Sequence, residues 1–373
     1  MLIKSVILII FIFINSLIAE EINCPISNEN ISVHLITDGY YNYEDYLHYS
    51  LGKFSTQNKK QYTLTTSKEF NLKTMSNDII FGEFNELRKI INEEKNLITP
   101  DFIGNFYIKN EITNPFQDNN LYPLDLDTYI LVSKEEINDI KNEEDIYNFV
   151  DVSKYTISQS FYSRNETINF FSYLLMGNGM DFKNPFFESI LYNQKYKYSL
   201  LNKNTFLGSY EEVINSYNNN ENLYTVLPDG FAYHEKNNFI NYPNSEVIWD
   251  NNIGQFKIND IENIESFFGF SALVNKKKGF DFLCNITKID AREIILKDFN
   301  LGISPLSTND VLNINQISPE YKKILKLKSK NINNLDLVNT GLYDENFHKN
   351  IIKFMISQSD LILNNSQISF FKD

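Results

Sequence analysis

The sequence predicts an α/β fold of two lobes joined by crossing strands. Three observations carry that reading. Short apolar, β-rich runs alternate with amphipathic helical segments, the pattern of an open, mostly parallel sheet with helices on both faces. A second such series begins near Leu121. No Pro/Gly-rich tether separates the two series and no internal repeat is visible, so the lobes share crossing strands and are not beads on a string.

The elements follow in order. Ile31 to Thr37 is a β-rich run ending at Asp38-Gly39. Glu44 to Gln57 has helical spacing through Tyr46, Leu47, Leu51 and Phe54. Tyr62 to Thr66 is a second strand and Asp78 to Phe81 a third, closed by Gly82. Helix Glu83 to Glu94 then carries Phe84, Leu87, Ile90 and Ile91 on one face. In the second series Tyr129 to Val132 and Tyr155 to Gln159 read as strands, and Asn165 to Met176 and Pro185 to Tyr196 as helices. Tyr224 to Leu227 is a strand stopped by the turn Pro228-Asp229-Gly230. Phe268 to Asn275 is a strand, with helices at Gly279 to Ile286 and Asp290 to Phe299. Two helices end the chain, Pro319 to Lys328 behind the cap Ser318, and Glu345 to Ser357. Proline suits a first helical position, where its missing N–H costs nothing.

The first nineteen residues form a leader. Lys4 supplies the positive n-region, Val6 to Ile14 an unbroken apolar run, and Asn15 and Ser16 a break before Ala19. This is the layout of a secretory signal peptide, too short for a comfortable membrane span. Cleavage is expected after Ala19. An uncleaved anchor is the alternative. Lipid attachment at Cys24 is a third reading, opposed by Ile22 and Asn23, which stand where lipid processing needs small residues. Beyond the leader no apolar run approaches the ~18 residues of a span. Cys24 and Cys284 are the two cysteines of the chain; in an exported protein they form one disulfide or remain buried thiols.

Composition narrows the function. The net charge is −14 and becomes more negative without Lys4; the densest basic run is Lys276-Lys277-Lys278. Nucleic acid is therefore a poor partner. The four histidines, His34, His48, His234 and His348, never form a His-x-x-x-His pair, and there is neither a Gly-x-Ser-x-Gly elbow nor a Gly-Lys-Ser/Thr phosphate loop. No metal and no cofactor are implied. Asp125 and Asp127 alternate along a strand and so point to one face, which leaves a secreted glycan hydrolase with paired carboxylates as the alternative function.

Several segments, taken in order, resemble one family. Tyr122-Pro-Leu-Asp-Leu-Asp-Thr-Tyr-Ile-Leu-Val-Ser-Lys134 is similar to the first inter-lobe crossing of bacterial extracellular solute-binding proteins, which feed ABC importers. Phe170 to Met180, with Gly177-Asn178-Gly179, resembles that family's apolar helix closed by a glycine turn. Ser266-Phe-Phe-Gly-Phe-Ser-Ala-Leu-Val-Asn-Lys276 resembles its returning strand, and Gly302-Ile-Ser-Pro-Leu306 its Gly-x-x-Pro loop. The match is closest to the carbohydrate-binding family 1 branch. It departs in having the single tryptophan Trp249 and in the stretch Asn202 to Asn244.

The resemblance implies a two-lobed, type II periplasmic-binding fold: residues 1–19 as signal peptide, 25–127 plus 265–312 as the first lobe, 128–264 plus 313–373 as the second. It implies a periplasmic, monomeric, non-enzymatic receptor. Such a receptor captures a small polar ligand, a sugar first, in an inter-lobe cleft and hands it to an ABC transporter permease.

Sugar sites combine aromatic faces with polar rims, and in open α/β sheets ligands sit beyond the carboxyl ends of strands. The candidates are therefore aromatic and charged groups that follow strands. After the first strand come Asp38, Tyr40 and Tyr41; Tyr43 beside them reads either as part of this group or as packing on the helix. Glu83 follows the third strand and Tyr122 stands at the crossing. In the second lobe the candidates are Tyr162, Arg164, Asp229, Phe231 and Trp249.

Overall fold

The computed structural model describes residues 24, 29–37, 43–59, 61–93, 120–136, 145–146, 157–161, 167, 201–202, 205, 207–220, 222–232, 238–242, 247–250, 255–258, 267–288, 299, 301–302, 318–328, 349 and 352–353. The expected leader and its cleavage point lie outside them. So does the helix expected at Pro185 to Tyr196, and so do nearly all residues of those expected at Asn165 to Met176, Asp290 to Phe299 and Glu345 to Ser357.

Two separate main sheets divide the described chain, as a two-lobed α/β protein requires. The first has the order β2-β1-β3-β13-β4, from Tyr62–Ser67, Ile31–Ile36, Ile79–Glu83, Phe270–Val274 and Leu121–Pro123. Strands β2, β1 and β3 are parallel; β13 enters antiparallel between β3 and β4. The second has the order β7-β8-β6-β9, from Ile157–Ser158, Tyr224–Pro228, Tyr129–Ser133 and Asn238–Asn241. Here β6 is antiparallel to both neighbours and β7 parallel to β8. A ribbon of β10 (Val247–Asp250) and β11 (Gln255–Ile258) pairs Trp249 with Phe256; only its backbone is described.

Helix faces follow the sequence periodicity. In α1 (Tyr43–Asn58) the predicted stripe Tyr46, Leu47, Leu51 and Phe54 is buried, as is Phe84, Leu87, Ile90 and Ile91 of α2 (Phe84–Glu93). Each such side chain contributes roughly 1.5–3 kcal/mol. Helix α3 (Tyr210–Asn218) begins with a capping box in which Ser209 and Glu212 each accept from the other's backbone N–H. The remaining helices are the single turn α4 (Asp229–Ala232), α5 (Lys277–Lys288) and α6 (Pro319–Lys328). Ser318 caps α6, its hydroxyl accepting from the Tyr321 N–H.

Three boundaries differ from the sequence reading. Strand β3 does not close at Gly82 but runs to Glu83, because β13 continues the ladder there, with Gly82 opposite Ser271 and Glu83 opposite Phe270. The expected strand Phe268 to Asn275 breaks at Gly269 into β12 (Phe267–Phe268) and β13. The expected turn at Pro228-Asp229-Gly230 is the end of β8 followed by α4. Pro228 is tolerated in the strand because the neighbour β7 reaches only Thr225, so its missing N–H interrupts no ladder bond on that side.

A charged clamp holds the end of the first sheet away from the crossing. Asp78 is fully buried ahead of β3. Its Oδ2 accepts from the Ser32 N–H at 2.7 Å and the Ser32 hydroxyl at 2.8 Å. Lys278 Nζ lies 3.0 Å from Oδ2 and Lys276 Nζ 3.2 Å from Oδ1. Burial pushes the carboxyl up, but hydrogen bonds from the Ser32 backbone, Lys278, the Ser32 side chain and Lys276 outweigh it and hold it below the ordinary value. Two lysines of the basic run, Lys276 and Lys278, are thus engaged in this clamp. Beside it, Cys24 and Cys284 form a disulfide with 5.5 Å between Cα atoms. The sulfur of Cys24 is engaged in that bond and cannot carry a lipid thioether.

Both devices at this end of the molecule can be tested. The disulfide closes a loop of 260 residues, which the chain-entropy model values at about 5 kcal/mol. A Cys24→Ser, Cys284→Ala pair should unfold at clearly lower denaturant than the oxidised parent, and the gap should vanish when the parent is reduced. A gap persisting under reduction would assign the loss to packing at Cys284. For Asp78 the folded pKa lies below the unfolded one, so its stabilisation is present above the unfolded value and is lost as pH falls through the folded value. Asp78→Asn should cost about 1–3 kcal/mol at neutral pH. Urea unfolding should also show a flatter loss of stability below about pH 4 than the parent; an equally steep acid limb would remove Asp78 from that role.

Candidate functional site

The two sheets are joined where the chain crosses between them. It leaves the first sheet through β4, makes the two-residue strand β5 (Leu126–Asp127), and enters the second through β6. It returns through β12, antiparallel to β5 with Phe267 opposite Asp127 and Phe268 opposite Leu126, and then continues into β13. A third passage follows. Phe299 packs on Tyr46 and Tyr49 of α1, Gly302 lies against Leu126 and Asp127, and α6 packs on β9.

Strand ends from both lobes converge on this junction. Glu83 ends β3 next to Phe270, and the Phe84 N–H donates to the Gly269 carbonyl at 2.8 Å. From the other side, Asp229 follows β8 and its N–H donates to the Thr128 carbonyl at 3.0 Å. The Asp229 carbonyl accepts from the Tyr321 hydroxyl of α6 at 2.9 Å. Both residues therefore stand at the carboxyl ends of their strands, where open α/β sheets present ligand sites.

An acidic cluster of Glu83, Asp125 and Asp127 lies around Tyr43 and Gly269 at the crossing. Glu83, Asp125, Asp127 and Asp229 are all at least nine-tenths buried. Tyr43, the first residue of α1, donates from its hydroxyl to Glu83 Oε1 at 2.6 Å and stacks on Phe270 with 4.1 Å between ring centroids. Burial, and after it the charges of Glu83, Asp125 and Asp127, holds the Tyr43 phenol far above its ordinary pKa, so it is a fixed donor. Asp125 and Asp127 do share one face, since both carboxylates approach the same point over Gly269. They are packed against glycine backbone within the junction.

The proposed contacts distribute as follows. Glu83 and Asp229 stand at the junction, one from each lobe. Phe231 is buried in α4 against Tyr210, with 4.4 Å between ring centroids. Tyr122 is a buried ring of the first lobe facing Phe280 at 6.1 Å. Trp249 lies on the ribbon, opposite Phe256. Asp38, Tyr40, Tyr41, Tyr162 and Arg164 lie outside the described residues. Sequence reasoning did not choose Tyr43, Thr128, Gly269 or Gly302, nor Gln159, which follows β7 and is buried. The signal for the glycines was present in the broken aromatic run Phe267-Phe268-Gly269-Phe270 and in the Gly302 loop.

Tyr43→Phe removes one donor from the buried Glu83 and keeps the ring. It should cost about 1–3 kcal/mol in chemical unfolding. A loss within error would mean that the hydroxyl does not hold Glu83.

No family model and no curated protein matches the sequence. Solved structures do. Maltose-bound MalE3 of T. maritima superimposes with a TM-score of 0.60 at 10% identity, covering 91% of this chain and 97% of that one. The bacterial solute receptor AcbH, described as exclusive for β-D-galactopyranose, gives 0.51 at 11% identity over 90% and 100%. A structure from the study of xylan utilization by the thermophilic bacterium Caldanaerobius polysaccharolyticus gives 0.54 at 10% identity over 92% and 98%. Together with the two sheets and their paired crossing strands, these likenesses give the chain the two-lobed, type II fold of bacterial solute-binding proteins.

Proposed function

We propose that this chain is an exported solute-binding protein that captures a small polar ligand, a carbohydrate first, between its lobes and delivers it to an ABC importer. The observation that supports the reading is the crossing between two separate sheets, with Glu83 ending β3 of one and Asp229 following β8 of the other. In the proposed cleft these two residues are the carboxylate acceptors for ligand hydroxyl groups. A ligand that touches both lobes favours the closed form only through contacts made there and absent when open. Three of the structurally similar proteins come from work on maltose, galactopyranose and xylan, which supports the carbohydrate choice.

On this reading the chain performs no chemistry and acts as a monomer in the periplasm after cleavage behind Ala19. The lobes take the boundaries expected from sequence, 25–127 plus 265–312 and 128–264 plus 313–373. Its partners are a small-molecule ligand and a permease. Asp38, Tyr40, Tyr41, Tyr122, Tyr162, Arg164, Phe231 and Trp249 join Glu83 and Asp229 as proposed contacts.

A thermal-shift screen over maltose, galactose, xylo-oligosaccharides, spermidine and citrate tests the proposal. A binding sugar at 100 times its dissociation constant should add about 2.7 kcal/mol to native stability, and Glu83→Gln or Asp229→Asn should reduce the shift. A response to spermidine or citrate alone would keep the receptor and replace the sugar. Silence across the panel would overturn the carbohydrate assignment.

A further inference from the structure

The crossing is crowded at two glycines: a side chain at Gly302 would meet backbone, and one at Gly269 would have to displace the ends of two carboxylates. A Cβ on Gly269 would stand 2.7 Å from Asp127 Oδ2 and closer still to Asp125 Oδ1. On Gly302 it would stand 2.6 Å from the Leu126 carbonyl oxygen and closer to Asp127 Oδ1. Real Cβ atoms essentially never come within 3.0 Å of such atoms. The Asp127 carboxylate is thus seated between two glycines, one oxygen over each. Neither glycine has the positive φ that would itself call for glycine; the requirement is space alone.

The two glycines lie on different passages. Gly269 joins the crossing strand β12 to β13 of the first sheet. Gly302 lies between Phe299, packed on the first lobe, and α6, packed on the second. The described parts of these passages, at Gly269 and at Gly302, both touch Asp127, so its seat is common to them. Packed cores switch between discrete arrangements and do not deform smoothly.

We propose that Asp127, seated between Gly269 and Gly302, is the pivot that sets the open-to-closed balance of the ligand-free protein. The two glycines are then positioning residues for capture. The inference rests on the receptor reading above for its purpose, but not for its test.

X-ray solution scattering of the ligand-free protein provides that test. Gly269→Ala should push the carboxylates aside and raise the radius of gyration and maximum dimension while the protein still melts cooperatively. Adding Asp125→Ser and Asp127→Ser to Gly269→Ala should return the scattering curve toward the parent. If Gly269→Ala alone does not fold, Asp127→Ser is read instead: emptying the seat should broaden the distribution of dimensions. Folded variants with the parent's curve would overturn the proposal, and so would a Gly269→Ala shift that the serines do not reverse. A scattering shift in a protein that ignores every sugar would sink the carbohydrate assignment and leave the pivot standing. Sugar binding with unmoved scattering would do the opposite.

Discussion

The architecture depends on a steric constraint at one point. Two stretches of backbone, at Gly269 and at Gly302, pass within contact of Asp127 on the crossing strand, and both approach so closely where the chain carries no side chain. The short β5–β12 ladder, the break between β12 and β13, and the pairing of Glu83 with Phe270 lie beside that approach.

The two lobes are stabilised by different means. In the first, a chain of ring contacts runs through the aliphatic core: Phe270 contacts Tyr43, Tyr46 and Phe81, and Phe282 contacts Phe54 and Phe81. The Asp78 clamp and the disulfide close its far end. The second lobe buries many small polar side chains. Asn202 donates to Ser216 and Asn222, Asn222 donates to Ser216, and the Ser158 hydroxyl donates to the Val213 carbonyl. Each such bond nets only about 1 kcal/mol, but leaving one unmade costs more. Lys134 adds to this by donating to the Tyr217 and Asn218 carbonyls at the end of α3, with its ammonium over the Tyr217 ring. One lobe is held by ring contact and charge, the other by a hydrogen-bonded interior.

Much of the fold was legible in the sequence because local chemistry agrees with the tertiary structure. The i, i+3, i+4 faces of α1 and α2 are buried as their spacing requires, and Pro319 behind Ser318 starts α6 where it should. The gap between one α/β series and the next corresponds to the change of sheet. What stayed hidden depends on long-range pairing. That β13 would sit between β3 and β4, extending β3 past Gly82, cannot be read from either segment alone. The α3 helix was overlooked in an Asn-rich stretch, although Ser209-Tyr-Glu-Glu212 is a capping-box signature. Of the proposed site, Glu83 and Asp229 could be chosen because each follows a strand. Gly302 was visible only as the start of a Gly-x-x-Pro loop, and its contact with a crossing strand 175 residues earlier in the chain could not be read from that loop.

The placement of β13 also orders events in time. As the chain emerges from its N-terminus, the second sheet has all four of its strands by Asn241, whereas the first lacks an inner strand until Val274 has appeared. Cys24 emerges almost at once but waits for Cys284 on α5. As the chain is delivered, the sheet made of its middle can therefore assemble first, although α6, which packs on β9, arrives later. The lobe that begins the chain must hold β1, β2 and β3 unfinished, and its edges exposed to wrong partners, until most of the polypeptide has been delivered.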